Sequence, residues 1–162
     1  MKKECSENEV RNKAEAYCSA AERCPSEVMD KLRRWGADEE QIPVIVAHLE
    51  KERYLDAVRF CRFFVRDKYR FNQWGRLKIA QALRMKQLDS AQIQEGLEEI
   101  DEGEYFQGLE RVLKQKARSV KAASEYERNA KLIRFAAGRG FTMDEILKVV
   151  KQVDADESVD GF

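Results

Sequence analysis

The sequence predicts an all-α chain built as three tandem three-helix repeats, and three observations carry that expectation. Capping-box spacings recur along the chain, apolar residues between them follow a helical period, and the pattern aligns with itself at offsets of 51 and 53 residues. Composition agrees. With 162 residues, 43% of them hydrophobic, 8 Gly and 2 Pro, the chain is neither disordered by composition nor rich enough in turn residues for a many-stranded β-sandwich. Its 30 basic and 30 acidic residues cancel, which excludes a bulk polycation.

Each helix has its own start signal. Ser6 with Glu9, Asp38 with Gln41, Asp101 with Glu104, Ser124 with Glu127 and Thr142 with Glu145 have the spacing at which two side chains satisfy each other's free backbone N–H. Further breaks fall at Cys24-Pro25-Ser26, Trp35-Gly36, Asn72-Gln73-Trp74-Gly75, Leu88-Asp89-Ser90 and Gly138-Arg139-Gly140. Helices are therefore expected over 8–22, 26–35, 39–51, 56–71, 76–86, 90–99, 102–122, 125–137 and 143–152. Pro43 lies just inside the third, where a first-turn proline loses little and a deeper one would kink the helix. The residues from Asp154 onward read as a frayed acidic tail.

The repeat emerges when Ile42, Ile93 and Ile146 are superposed. Fourteen residues earlier stand Val28, Ile79 and Leu132; ten earlier, Leu32, Leu83 and Ala136; four earlier, the caps Asp38, Asp89 and Thr142; four later, Val46, Leu97 and Val150. The turn before the third helix of each unit is Gly36-Ala37, Gln87-Leu88 or Gly140-Phe141. One such unit cannot bury its own apolar face, whereas three in tandem share a core. The expected divisions are a first repeat with the N-terminal segment over 1–51, a second over 52–100, a third over 101–153 and an acidic disordered tail over 154–162.

Charge is patterned as well. Arg59, Arg62, Arg66 and Arg70 fall on one narrow stripe of a single helix at about 100° per residue, and Arg76 and Lys78 follow. Residues 51–86 carry 11 basic and 3 acidic side chains, residues 89–110 carry 8 acidic and none basic, and Arg111, Lys114 and Arg118 stand 52 positions after Arg59, Arg62 and Arg66. Two readings stand side by side. One is a solvated helix face whose arginine stems cover apolar surface; the other is a contact for an anionic partner, because a one-sided arginine row incurs repulsion that an interspersed face avoids. Nucleic-acid phosphate and an acidic protein surface both qualify as partner, so a stand-alone nucleic-acid-binding module remains an alternative.

Signals for catalysis are sparse. His48 reads as a structural histidine, and no His/Cys/Asp cluster has metal spacing. Gly138-Arg139-Gly140 ends a helix and is no phosphate loop, while Glu98, Glu99, Asp101 and Glu102 read as solvated charge. Cys5, Cys18, Cys24 and Cys61 read as small, reduced hydrophobes. No apolar run approaches the roughly 18–20 residues of a membrane span, and the first residues lack the apolar core of a signal peptide. The expectation is a cytoplasmic protein that is not an enzyme and needs no cofactor or metal.

Tyr54-Leu-Asp-Ala-Val-Arg-Phe-Cys-Arg-Phe-Phe-Val-Arg-Asp, followed by Trp74-Gly-Arg-Leu-Lys-Ile-Ala-Gln-Ala-Leu, resembles the RecX family of bacterial regulators of the RecA recombinase. The matching positions are Tyr54-Leu55-Asp56, Arg59-Phe60, Arg66, Gly75, Ile79 and Leu83, with Ser26-Glu27 through Leu32 and Gly36 in the first repeat and Arg139-Gly140-Phe141 in the third. The chain departs from the family pattern at Ala57, where a second acidic residue is usual, and at Gly75-Arg76, where glycine-proline is frequent. The resemblance implies an elongated, curved helical array that binds the RecA filament on DNA, as a monomer, and inhibits ATPase, strand exchange and co-protease activity in recombination, repair and the SOS response. Arg59, Arg62, Arg66, Arg70, Arg76, Lys78, Arg111, Lys114 and Arg118 are then the expected partner-binding residues, with direct DNA contact a further possibility and Tyr54, Phe60 and Trp74 as packing anchors.

Overall fold

A computed structural model describes the backbone of residues 6–160 and the side chains of residues 6–153; among these described residues there are nine α-helices and no strand. The helices are α1 (Glu7–Ala20), α2 (Pro25–Arg34), α3 (Gln41–Lys51), α4 (Ala57–Phe71), α5 (Arg76–Met85), α6 (Ser90–Leu97), α7 (Glu102–Ala117), α8 (Glu125–Gly138) and α9 (Met143–Asp160). Cys5 lies outside the described residues, as do the last two residues of the tail expected over 154–162; α9 runs on through Asp160, eight residues past its expected end at 152, so the backbone expected to be frayed is helical as far as that residue.

Local chemistry explains the boundaries. Asp38 O accepts both the Gln41 N–H (2.9 Å) and the Ile42 N–H (3.3 Å), so 38–40 is a turn and α3 starts two residues later than the spacing predicts. Pro43 is thus its third residue, where the missing N–H has no intrahelical partner to lose. The seventh helix stops five residues short of its predicted end, because Lys116 O takes the Ser119 N–H (3.0 Å), the Val120 N–H (3.1 Å) and the Ser119 hydroxyl (3.0 Å). Three donors on one carbonyl turn the chain out of the helix.

Of the five predicted capping boxes, Thr142–Glu145 is reciprocal: Thr142 N–H donates to Glu145 Oε1 at 2.8 Å and Glu145 N–H to Thr142 Oγ1 at 3.2 Å. Ser6, Asp101 and Ser124 accept the N–H three residues on. The carboxylates of Glu104 and Glu127 go elsewhere, to Tyr69 and Arg70 and to Ala123 N–H and Lys131. At Asp38 only the N–H donates, to Gln41 Oε1 at 3.4 Å. A reciprocal box that the sequence reading omits joins Asp89 and Gln92 (3.0 and 2.8 Å), and the Asp-x-x-Gln spacing was its signal.

The repeat recurs at the level of atoms. Ala37 N–H donates to Leu32 O (3.0 Å), Leu88 N–H to Leu83 O (3.2 Å) and Phe141 N–H to Ala136 O (3.2 Å), the long closing bond of a Schellman turn. The residue before each is left-handed: Gly36 at φ 86°, Gln87 at φ 67° and Gly140 at φ 98°. Val28, Ile79, Leu132, Leu32, Leu83 and Ala136 are fully buried, as their aligned positions predict, whereas Leu97 is half-buried.

The chain divides into two compact units. The first contains the residues up to Phe63 with Leu83–Gly96, the second Phe64–Ala82 with the residues from Leu97 onward, so the division runs through the middle repeat. In the first, α1, α2 and α3 pack pairwise around Val10, Ala14, Leu32, Ile45, Leu49 and Leu55. Each valine, leucine or isoleucine of this set contributes roughly 1.5–3 kcal/mol on burial. Ser26 Oγ donates to Lys86 O at 2.7 Å, and a Cβ on Gly96 would lie 2.8 Å from Cys61 Cβ, so no larger residue fits there. In the second unit α7, α8 and α9 pack pairwise around Leu109, Leu113, Leu132 and Ile146.

The two glycine turns differ in one respect that can be measured. A Cβ at Gly36 meets nothing within 4 Å, while one at Gly140 would lie 2.4 Å from Lys78 Cβ. Gly36→Ala should therefore cost only the left-handed backbone, about 1 kcal/mol, and Gly140→Ala about 3 kcal/mol or more, in urea unfolding curves. Burial also raises the Cys61 thiol to about 11, with Cys24 and Asp89 adding to the shift. A raised value means the folded state keeps its proton longer, so this contribution to stability is complete below about pH 9 and lost as pH rises through about 11. Cys61→Ala should flatten the alkaline limb of stability against pH by up to one proton equivalent.

Candidate functional site

The arginine row of α4 begins with a fastening. Arg59 Nε meets Glu22 Oε1 at 2.8 Å, Nη1 donates to Arg53 O at 3.2 Å and Nη2 to Tyr54 O at 3.4 Å. Its own N–H is capped by Asp56 Oδ1 at 3.0 Å. Arg53 is left-handed (φ 62°), and the guanidinium braces the turn it forms. Tyr54 packs against the first unit's core, and Phe60 is buried. Arg62 faces Glu95 at 3.7 Å, with both side chains about half exposed.

In the second unit Arg66 is exposed, and Arg70 Nε meets Glu104 Oε2 at 3.0 Å, an oxygen that also takes the Tyr69 hydroxyl at 3.1 Å. Trp74 is half-buried, edge-on to Phe64 at 6.4 Å, with Lys78 Nζ 4.5 Å and Lys68 Nζ 5.1 Å from its ring centre. Arg111 on α7 and Arg118 just past its end are exposed, and Lys114 pairs with Glu110 at 3.0 Å.

Arg76 sits apart from all of these, in a largely buried cluster. Its guanidinium binds Glu145 and Glu102 and lies 4.3 Å from the Tyr105 ring centre, while its backbone N–H donates to the Tyr105 hydroxyl at 3.0 Å. The Tyr105 hydroxyl donates in turn to Glu145 Oε1 at 3.0 Å, and burial pushes this phenol's pKa up. Glu145 is only 7% exposed, and its contacts with Arg76, Tyr105 and Thr142 offset the cost of burying its charge. Beside the cluster, Gly75 N–H donates to Arg139 O at 2.8 Å and Leu77 N–H to Gly140 O at 3.0 Å. A Cβ on Gly75 would fall 2.2 Å from the Gly140 carbonyl carbon, so two backbones touch there.

Opposite charges of the two runs find each other within each unit. Glu95 faces Arg62; Glu102, Glu104 and Glu110 face Arg76, Arg70 and Lys114. Several acidic residues of the run are thus intramolecular counterparts of basic ones; Glu110 and Lys114 are an i, i+4 pair on α7, whereas the other three pairs join residues too far apart in sequence for helical spacing to report. His48 Nε2 meets Glu15 Oε1 at 2.9 Å and ties α3 to α1. Among the described residues no group of His, Cys, Asp and Glu is placed to hold a metal ion, and no helix is long and apolar enough to cross a membrane.

Family models for the second and third three-helix domains of RecX match residues 58–97 and 102–150. Proteins named "Regulatory protein RecX" from Oceanobacillus iheyensis and Acinetobacter baylyi are each 30% identical, over 89% and 93% of this chain. The chain spans about half (53%) of the Oceanobacillus protein and 92% of the Acinetobacter protein. Among solved structures, RecX from Lactobacillus salivarius superposes with a TM-score of 0.84 over 92% of this chain and 97% of its own, at 21% identity.

Removing Arg76 leaves Glu145 buried without its cation. Arg76→Ala should lose about 3 kcal/mol in chemical unfolding, while Arg76→Met with Glu145→Met should lose less than the two single changes added together. Additive losses would mean that the ion pair is not the unit that matters.

Proposed function

The chain belongs to the RecX family, and from that premise we propose that it binds RecA filaments and inhibits their ATPase, strand-exchange and co-protease activities in recombination and DNA repair. Membership along nearly the whole chain carries the reading: 93% of it aligns with the Acinetobacter protein. The protein acts by occupying the filament, where it obstructs subunit addition or the motions of ATP turnover, and supplies no catalytic group of its own.

The arginines of α4 and the start of α5 divide by their surroundings. Arg59 on α4 and Arg76 on α5 hold the fold and serve a partner only indirectly. Arg62, Arg66 and Arg70, with side chains open to solvent, and Lys78 on the Trp74 ring are the proposed contacts, with Arg111, Lys114 and Arg118 as their counterparts on α7 and just past its end. Exposed charges of this kind steer association more than they add affinity, so their loss slows binding and makes it less salt-dependent. The three repeats over 1–51, 52–100 and 101–153 are proposed as the elements along which a filament is engaged.

The direct measurement is the DNA-dependent ATPase of RecA titrated with this protein. Stoichiometric or smaller amounts should lower the rate, and Arg66→Glu should require about tenfold more protein for the same inhibition. An unchanged rate at saturating protein, with filaments confirmed present, rejects the proposal.

A further inference from the structure

We propose that the cleft between α7 and α8 binds the phosphodiester backbone of a nucleic-acid strand through Lys116, Lys131, Arg134 and Arg139. This site is separate from the α4 row and does not rest on the regulatory reading. Two concavities of about 240 and 410 Å³ both have Lys116 and Phe135 in their walls; Arg139 lines the first, Lys131 and Arg134 the second. No carboxylate lines either one. The surrounding stretch, residues 111–139, carries nine basic and two acidic side chains.

Three of the four cations, Lys116, Lys131 and Arg139, are held in place before any ligand arrives. Lys116 Nζ lies 4.8 Å and Arg139 Cζ 5.3 Å from the Phe135 ring centre, and Arg139 Nη1 donates to Asn72 O at 2.7 Å. Lys131 Nζ donates to Lys121 O at 2.6 Å, with Glu127 at 3.4 Å. Side chains already ordered lose less entropy on binding. Guanidinium groups present paired donors that match phosphate oxygens.

Geometry also selects the class of anion. The cleft adjoins the C-terminal ends of α7 and α8, the negative poles of both helix dipoles, so a small lone anion gains little. A strand with regularly spaced phosphates can bridge both concavities at once and release several counterions. A protein partner needs a desolvated apolar anchor, and the Phe135 ring, attended by two cations, offers none. The same arrangement blocks base stacking on Phe135, so recognition is independent of sequence.

The experiment is fluorescence anisotropy with a labelled homopolymeric single strand and this protein alone, between about 50 and 200 mM salt. The wild-type protein should bind with an affinity that falls steeply with salt. Lys116→Gln with Arg134→Gln should weaken binding at least about tenfold and reduce the salt slope by about 2, while Arg34→Gln at an exposed position of α2 leaves it within about twofold. Arg134→Gln alone, at an exposed position, repeats the test with one change, and circular dichroism confirms that each variant is folded. Absence of wild-type binding, equal binding by the double variant, or loss with Arg34→Gln instead overturns the assignment. So does displacement of the strand by polyglutamate of equal charge. Because no RecA is present, failure here leaves the filament reading untouched.

Discussion

Everything in the second unit is arranged around a place where two stretches of backbone touch. Gly75 and Gly140 approach so closely that neither can carry a Cβ, and two main-chain hydrogen bonds, Gly75 to Arg139 and Leu77 to Gly140, close the contact. This fixes where α5 begins relative to the α8–α9 turn. It also explains why a charge can be buried beside it, since Arg76 follows Gly75 directly and Glu145 lies in the first turn of α9. The backbone contact positions the ion pair, and the ion pair in turn leaves Glu145 no alternative arrangement that keeps its charge satisfied.

Much of this fold was legible in the sequence because its signals are local. All nine helices follow from caps, breaks and apolar period, and the three closing turns lie where self-alignment put them. The misplacements come from competition that spacing does not express. Ser119 and Val120 satisfy the Lys116 carbonyl and end α7 early, and Glu104 and Glu127 leave their caps for other partners. Residues such as Arg59 and Arg76 read from sequence like their neighbours on a charged face. Their distinct roles depend on Glu22 and Glu145, 37 and 69 positions away, which helical periodicity cannot report.

The family pattern and this chain differ informatively at Gly75-Arg76. Proline suits the first position of a helix because no N–H is needed there. Here that N–H is in use, donating to Tyr105, and the side chain that replaces the proline ring holds two carboxylates. The arginine therefore exchanges a preset backbone angle for a set of directed bonds. A similar trade governs the charge runs at large, because acidic residues pair at the surface with cations of the same unit and leave fewer unpaired positive charges for any partner.

The three left-handed turns show how far copies of one device can drift. At Gln87 the geometry tolerates an ordinary side chain, at Gly36 glycine relieves only the backbone, and at Gly140 glycine is demanded by Lys78 in the first turn of α5, packed against it. A glycine in the closing Arg-Gly-Phe of the third repeat thus marks a crossing of chains, whereas the same letter in the first marks a bend. Identical letters in duplicated segments need not record the same constraint, and the third copy is the one least free to change.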